Sequence, residues 1–190
     1  MITVGKPDET QSISRYAGER VSVLIPAEDI ERRLTELAAD ISRDYAGKKI
    51  TLLCALKGAV IFMVDLARKL NHDVEFDFVN ISSYGDETRP GAIQMNSGPD
   101  MDIKGKHILL VEDIVDTGHT LDYLRWNIMD NQPASFKICV LLDKPDRRET
   151  ENAVFEYLGF AIPDAFVVGY GLDYAQRYRN LPYIGVLRFE

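Results

Sequence analysis

"HILLVEDIVDTGHTLDYL" (107–124) carries the decisive pattern of the 190-residue chain. An apolar run, 108–111, leads into three carboxylates within five positions, Glu112, Asp113 and Asp116. A small, hydroxyl-bearing turn follows, then a segment with helical apolar spacing. The pattern predicts a buried strand, an acidic turn and a helix. Acids this crowded repel one another whenever all are ionised, so the chain must gain something by placing them together. Thr117, Gly118, His119 and Thr120 open the helix, where free N–H groups and the positive end of the helix dipole suit a phosphate. The spacing is neither a Walker loop nor a Gly-x-Gly-x-x-Gly dinucleotide loop. Carboxylates beside a phosphate suit a sugar phosphate, whose hydroxyls they can accept or whose Mg²⁺ they can ligate. A bare Asp-Thr-Gly would otherwise read as a capped helix start with solvated acids.

Outward from this turn, strand and helix patterns alternate. Ile30, Leu34, Leu37, Ala38 and Ile41 fall at helical spacing within 28–45. "KITLLCAL" (49–56) is a continuous apolar run, followed by the turn Lys57-Gly58 and a helix over 59–70. In 73–82, Val74, Phe76 and Phe78 alternate with Glu75 and Asp77, predicting a half-exposed strand with the aromatic side inward. The polar stretch 83–102 reads as a long loop. A helix is expected over 120–130, and strands over 106–113, 135–143 and 165–171. Strands alternating with helices imply an α/β fold, a mostly parallel twisted sheet flanked by helices, organised as one domain over 1–190. In such sheets ligands bind beyond the carboxyl ends of the strands. That directs attention to Lys57, Ser83, Tyr84, the 112–120 cluster, Lys144 and Asp173.

Composition narrows the function classes. With 46% hydrophobic and 27% charged residues the chain is ordinarily globular. The net charge of −8 and pI near 5.0 argue against broad nucleic-acid binding, while leaving room for a small anion held by local cations. The polar start and the lack of a long apolar stretch predict a soluble, cytoplasmic protein with no membrane partner. Cys54 and Cys139 sit in apolar runs without ligand spacing and are expected to be buried thiols.

"ILLVEDIVDTGHT" resembles the phosphoribosyl pyrophosphate (PRPP) signature of type I phosphoribosyltransferases. "LKGA" (56–59), "SSYG" (82–85), Lys144 in "LLDKPDRRE" and "FVVGYGLDYAQRYRNLPYIGVL" (166–187) resemble further segments of the hypoxanthine-guanine branch, extending the likeness over nearly the whole chain. The resemblance implies the type I fold with a small hood, Mg²⁺ as cofactor, and a homodimer or homotetramer. It implies transfer of the 5-phosphoribosyl group from PRPP to a 6-oxopurine. Asp116 would take the proton from the base. Glu112 and Asp113 would face the ribose hydroxyls, directly or through metal, and Asp173 would be a metal-side acid. Asp116, Thr117, Gly118, His119 and Thr120 would hold the 5-phosphate. Lys57 and Gly58, often joined to the preceding residue by a non-proline cis peptide, would bind pyrophosphate with Arg179 and Arg148. Ser83 and Tyr84 would belong to a mobile lid within 83–102. Lys144 would donate to the purine O6, with Ile114, Phe166, Val167, Leu172 and Asp173 around the base. Rival readings are a phosphoribosyltransferase for xanthine or another base, and a regulatory RNA-binding protein on the same fold.

Overall fold

The structure is a computed structural model that describes residues 2–84 and 92–189. In chain order it forms β1 (Ile2–Thr3), β2 (Asp8–Ile13), β3 (Glu19–Ile25), α1 (Ala27–Asp44), β4 (Ile50–Leu56), α2 (Val60–Lys69) and β5 (Val74–Tyr84). Then come β6 (Ala92–Ser97), β7 (His107–Val115), α3 (His119–Asp130), β8 (Ser135–Asp143), β9 (Tyr157–Ala161), β10 (Val167–Val168) and β11 (Ile184–Phe189). Among the described residues two sheets form. The larger has the order β1-β9-β8-β7-β4-β5-β6, and the smaller has the order β10-β11-β3-β2. All neighbours in the larger sheet run parallel except β6, which pairs antiparallel with β5. The smaller sheet is antiparallel throughout and forms the hood.

β4 and β7 are apolar and buried for most of their length because helices cover both faces. Leu52, Cys54, Leu109 and Val111 join the core with Leu34, Leu37 and Ile41 of α1 and Phe62, Met63 and Leu66 of α2. The alternate residues Leu53, Ile108 and Leu110 pack with Leu121, Leu124 and Ile128 of α3 on the other side. Fully burying a side chain of this kind is worth about 1.5–3 kcal/mol, so the apolar face of α1 holds the helix far more firmly than propensity does. Both cysteines are buried and free, as expected.

The strand order reverses between β4 and β7. From β4 the chain proceeds to β5 on one side, and from β7 to β8 and β9 on the other. The carboxyl ends of β4 and β7 therefore diverge into a crevice, the usual ligand position in an open α/β sheet.

Three expectations need correction. In β5 the two faces are reversed: Asp77 and Val79 are buried, while Phe76 and Phe78 are 42% and 38% exposed. Buried Asp77 is tolerated because its carboxylate accepts the backbone N–H groups of Phe78, Asp100 and Met101. The stretch 83–102 is not simply a loop, since Ser83 and Tyr84 end β5 and β6 folds back onto it with Ile81 opposite Met95. The expected lid's tip, 85–91, lies outside the described residues. Finally, 165–171 contains only the two-residue β10, and it belongs to the hood.

Candidate functional site

Consecutive strand ends deliver the expected residues to one crevice. Register pairs Cys54 with Val111 across β4 and β7. That pairing brings the turn after β4 against the acids of β7. A Cβ placed on Gly58 would lie 1.5 Å from Asp113 Oδ2, so only glycine fits beside that carboxylate. The Leu56–Lys57 peptide is cis.

Glu112 and Asp113 are the electrostatic oddity of the site. Asp113 Oδ1 accepts the Ile114 N–H at 2.7 Å, whereas Glu112 Oε2 is shut from water with no hydrogen-bond partner among the described residues. Burial first, and the neighbouring Asp113 second, hold the Glu112 carboxyl well above its ordinary range. Burial also pushes Asp113 up to about 6, although its backbone hydrogen bonds and Arg179 act in the opposite direction. Burial and mutual repulsion therefore bias the ligand-free pair towards holding a proton over carrying two adjacent charges.

A cavity of about 250 Å³ opens over these acids, lined by residues 112–118, Thr120 and Leu121. Gly118 caps α3 at φ +94°, and no side chain among the described residues caps the helix. Its first-turn amides are thus left for a ligand. A Cβ on Gly118 would approach Ala153 Cβ at 2.6 Å, so the turn is packed tightly from behind. The Thr117 carbonyl is fixed by the Glu149 N–H at 2.9 Å. His119 turns its ring outward, with Nε2 2.9 Å from Glu149 Oε2, which leaves its backbone as the contribution to the turn. Two roomier grooves, of about 660 Å³ beside Trp126 and about 530 Å³ between α1 and Tyr170, lie on helix flanks away from the strand ends.

On one side of the acids lies a cationic corner. Arg179 donates through Nη1 to the Gly171 carbonyl at 2.7 Å, and its Nη2 sits 2.7 Å from Asp173 Oδ1. Asp173 also accepts the Gln176 N–H at 2.8 Å. Lys57 is exposed at the same edge. Arg148, expected here, lies elsewhere. Its Nη2 is bonded to Asp143, and its Nη1 is buried without a partner among the described residues. That Nη1 stands 3.0 Å from the Cβ position of Gly118, behind the phosphate turn. The physical reason is Asp143, a buried carboxylate that needs a counter-charge.

On the other side lies the expected base region. The Lys144 N–H bonds the Val115 carbonyl at 3.0 Å, fixing this residue beside Asp116. Its side chain is only 9% exposed, with Nζ 3.8 Å from Asp116 Oδ2 and 3.7 Å from Asp164 Oδ1. Arg147 Nε donates to Asp116 Oδ1 at 3.0 Å. Val167 and Leu172 are buried in one apolar cluster, with Ile114 packed against it. Phe166 is 51% exposed and meets Tyr174 edge-on at 5.8 Å.

The structure thus brings together Lys57, Gly58, Asp113, Asp173 and Arg179 on one flank and Asp116, Lys144 and Ile114 on the other. Sequence reasoning missed Arg147, which sat in a "DRR" run typical of solvated surface, and Asp164, whose "IPDAF" setting carries no motif. Only the strand-end rule, applied to β9, would have singled out Asp164.

A family model described as phosphoribosyl transferase domain matches residues 24–175. The hypoxanthine phosphoribosyltransferase of Haemophilus influenzae is 49% identical over 174 residues, spanning 90% of this chain and 97% of that protein. The hypoxanthine-guanine phosphoribosyltransferase of Mycobacterium tuberculosis is 44% identical over 184 residues, spanning 93% and 91%. A crystal structure of a hypoxanthine phosphoribosyltransferase from Staphylococcus aureus superposes with a TM-score of 0.83 at 41% identity, covering 87% of this chain and 90% of that one.

Proposed function

The chain belongs to the phosphoribosyl transferase family, and from that premise we infer that it serves purine salvage. The protein transfers the 5-phosphoribosyl group of PRPP to N9 of hypoxanthine and/or guanine, giving IMP and/or GMP and pyrophosphate. The observation that carries the reading is the half-buried Glu112 and Asp113 pair with its raised carboxyls, set between an uncapped phosphate turn, Arg179 on one side and Lys144 on the other.

Each part has a role in that chemistry. The amides of 117–120 bind the 5-phosphate at the α3 dipole. Glu112 and Asp113 accept the ribose 2- and 3-hydroxyls, which supply the hydrogen bonds that Glu112 Oε2 lacks. The transition state has oxocarbenium character, and a fixed carboxylate nearby favours the positive charge that develops on the ribose ring over the uncharged ring of the ground state. Asp116 accepts the N7 proton as N9 attacks, a contribution of about 10²–10⁴-fold for a well-placed base. Lys57 and Arg179 balance the charge of departing pyrophosphate. Lys144 donates to O6, the Val167 backbone fixes the polar edge of the ring, and Ile114, Leu172 and Phe166 pack on its faces.

The donor set fits Mg²⁺, because the available ligands are hard carboxylate oxygens. Mg²⁺ keeps several waters and is usually held by one or two carboxylates together with substrate phosphates. Glu112 and Asp113 would hold it on the ribose side, and Asp173 on the pyrophosphate side. When bound, it supplies positive charge on pyrophosphate and lowers the repulsion within the acidic pair.

The reading takes 1–190 as one functional unit. It places the enzyme in the cytoplasm, in keeping with the lack of a membrane-crossing helix among the described residues. It also takes the protein as a homodimer or homotetramer, a state that sedimentation velocity measures directly. The deciding experiment is pyrophosphate release from PRPP and Mg²⁺ with a panel of bases. Hypoxanthine or guanine should be used and adenine rejected by a factor on the order of 10⁴, since its 6-amino group meets the Lys144 donor with a donor. Absence of turnover with both 6-oxopurines would overturn the function.

A further inference from the structure

We propose that Asp164, at the carboxyl end of β9, is a positioning residue for base recognition: with Asp116 it holds the Lys144 ammonium in place while leaving its protons free for the purine O6. The inference rests on the base-side reading of Lys144 given above.

Lys144 Nζ lies almost midway between two carboxylates, 3.7 Å from Asp164 Oδ1 and 3.8 Å from Asp116 Oδ2. Both separations exceed hydrogen-bonding distance, so the attraction is coulombic and directional donors are not consumed. A side chain only 9% exposed needs counter-charge to remain where it is. Asp116 is a poor sole provider. Its Oδ1 already accepts Arg147 Nε at 3.0 Å, and its negative charge is lost when it takes the proton of the base. Asp164 has no such duty in the proton transfer.

The fold places Asp164 for this task. The Ile162 N–H bonds the Asp143 carbonyl at 2.8 Å, which locks the end of β9 beside the end of β8, where Lys144 follows. Two residues beyond Asp164 come Phe166 and then Val167, so a single short segment carries the ammonium's second carboxylate and two base-side groups. Arg147 Nη1, 3.9 Å from Asp164 Oδ2, completes an alternating ring of two acids and two cations. Asp164 itself is 52% exposed. As an ordinary surface ion pair it would matter little and would not discriminate between bases.

Steady-state kinetics of Asp164→Asn, with PRPP, Mg²⁺ and hypoxanthine, guanine or adenine, test the proposal. The KM for hypoxanthine should rise about 3- to 5-fold, the upper range for a partly exposed charge pair and less than a direct charge-assisted hydrogen bond would contribute. The KM for PRPP should stay within about 2-fold by the same scale, and the lead of hypoxanthine over adenine should narrow. Asp164→Glu should restore most of the loss. In a Lys144→Met background Asp164→Asn should add nothing, because both changes act through one ammonium. An unmoved KM for hypoxanthine, an equal rise for PRPP, failure of the glutamate to rescue, or additivity with Lys144→Met would each overturn the role of Asp164. Wild-type protein that makes no nucleotide from either 6-oxopurine would overturn the functional reading and this inference together. Active wild type with an unaffected Asp164→Asn overturns the inference alone.

Discussion

Glu112 and Asp113 are held in the free protein at a cost in stability that a ligand relieves. Glu112→Gln replaces one member of a half-buried acidic pair with a side chain that can donate to the other whatever the pH. The variant should fold more stably than wild type at neutral and higher pH, by up to about 1 kcal/mol, because the wild-type pair relieves part of its repulsion by holding a proton. In a chain of this length that is a rise of roughly 2–4 °C per kcal/mol in thermal unfolding. The same change should weaken PRPP binding, since a carboxylate acceptor is gone. Calorimetry with and without PRPP checks both halves, and a destabilised variant would mean that the pair does not repel. Asp116→Asn should behave differently: PRPP binding stays near wild type while turnover falls about 10²–10⁴-fold, because the amide keeps shape and loses basicity. Single-turnover measurements with prebound PRPP separate the two, and an active variant would remove Asp116 from the base role. The acids, the phosphate turn and Lys144 were legible in the sequence because local spacing places them at strand ends. Asp164 and Arg147 were not, since the pairing of Asp164 with Lys144, and of Arg147 with Asp116 and Asp164, depends on the lateral order of β7, β8 and β9.

Strands β4, β5 and β7 are also tied together at their amino ends, opposite the site. Glu75 of β5 accepts Lys49 Nζ at 2.6 Å and Lys106 Nζ at 2.9 Å. Those two hydrogen bonds, the Lys49 one first, hold its carboxyl down from 4.5 to about 2. Because the folded value is depressed, the stabilisation is fully present above the unfolded value near 4.5 and fades as pH falls towards 2. Glu75→Gln should therefore be less stable than wild type at neutral pH, by a modest amount because the partners are solvated. The gap should narrow as pH falls from roughly 5 to 2, where the carboxylate takes up its proton first in the unfolded chain and only then in the folded one. Urea unfolding of both proteins across that range would decide it, and a gap independent of pH would show that the two lysines do not stabilise the ionised group. At this scale the helices and buried parallel strands were readable from apolar periodicity. The inward face of β5 was not, because an inside carboxylate satisfied by three backbone donors inverts the usual inference from alternation. Nor were the hood strands, whose pairings join residues as distant as Glu19 and Phe189.

The hood links the two ends of the chain and thereby supports the pyrophosphate side. β3 from the amino-terminal region lies between β2 and carboxy-terminal β11. Beside it runs the segment 173–179, where Ala175, Gln176 and Tyr178 adopt φ of +50°, +63° and +74°. Left-handed backbone costs a non-glycine residue roughly 1–2 kcal/mol, so such a segment persists only where its surroundings fix it. Glu19 supplies that restraint. Buried at 8% exposure, it accepts Arg177 Nη2 at 2.5 Å and the Tyr178 hydroxyl. Arg177 in turn lies 4.2 Å from the Tyr16 ring centroid. Asp173 and Arg179, at the two ends of the restrained segment, then meet at 2.7 Å. Glu19→Gln keeps the shape and removes the charge, leaving Arg177 without its ionic partner. It should lower stability by about 1–3 kcal/mol. It should also raise the KM for PRPP several-fold while the KM for hypoxanthine, set at Lys144, moves much less. Paired melting and kinetic measurements distinguish a restraint on the site from simple support of the fold. If stability falls and the KM for PRPP stays put, Asp173 and Arg179 hold their geometry without Glu19, and the amino-terminal strand merely covers the core.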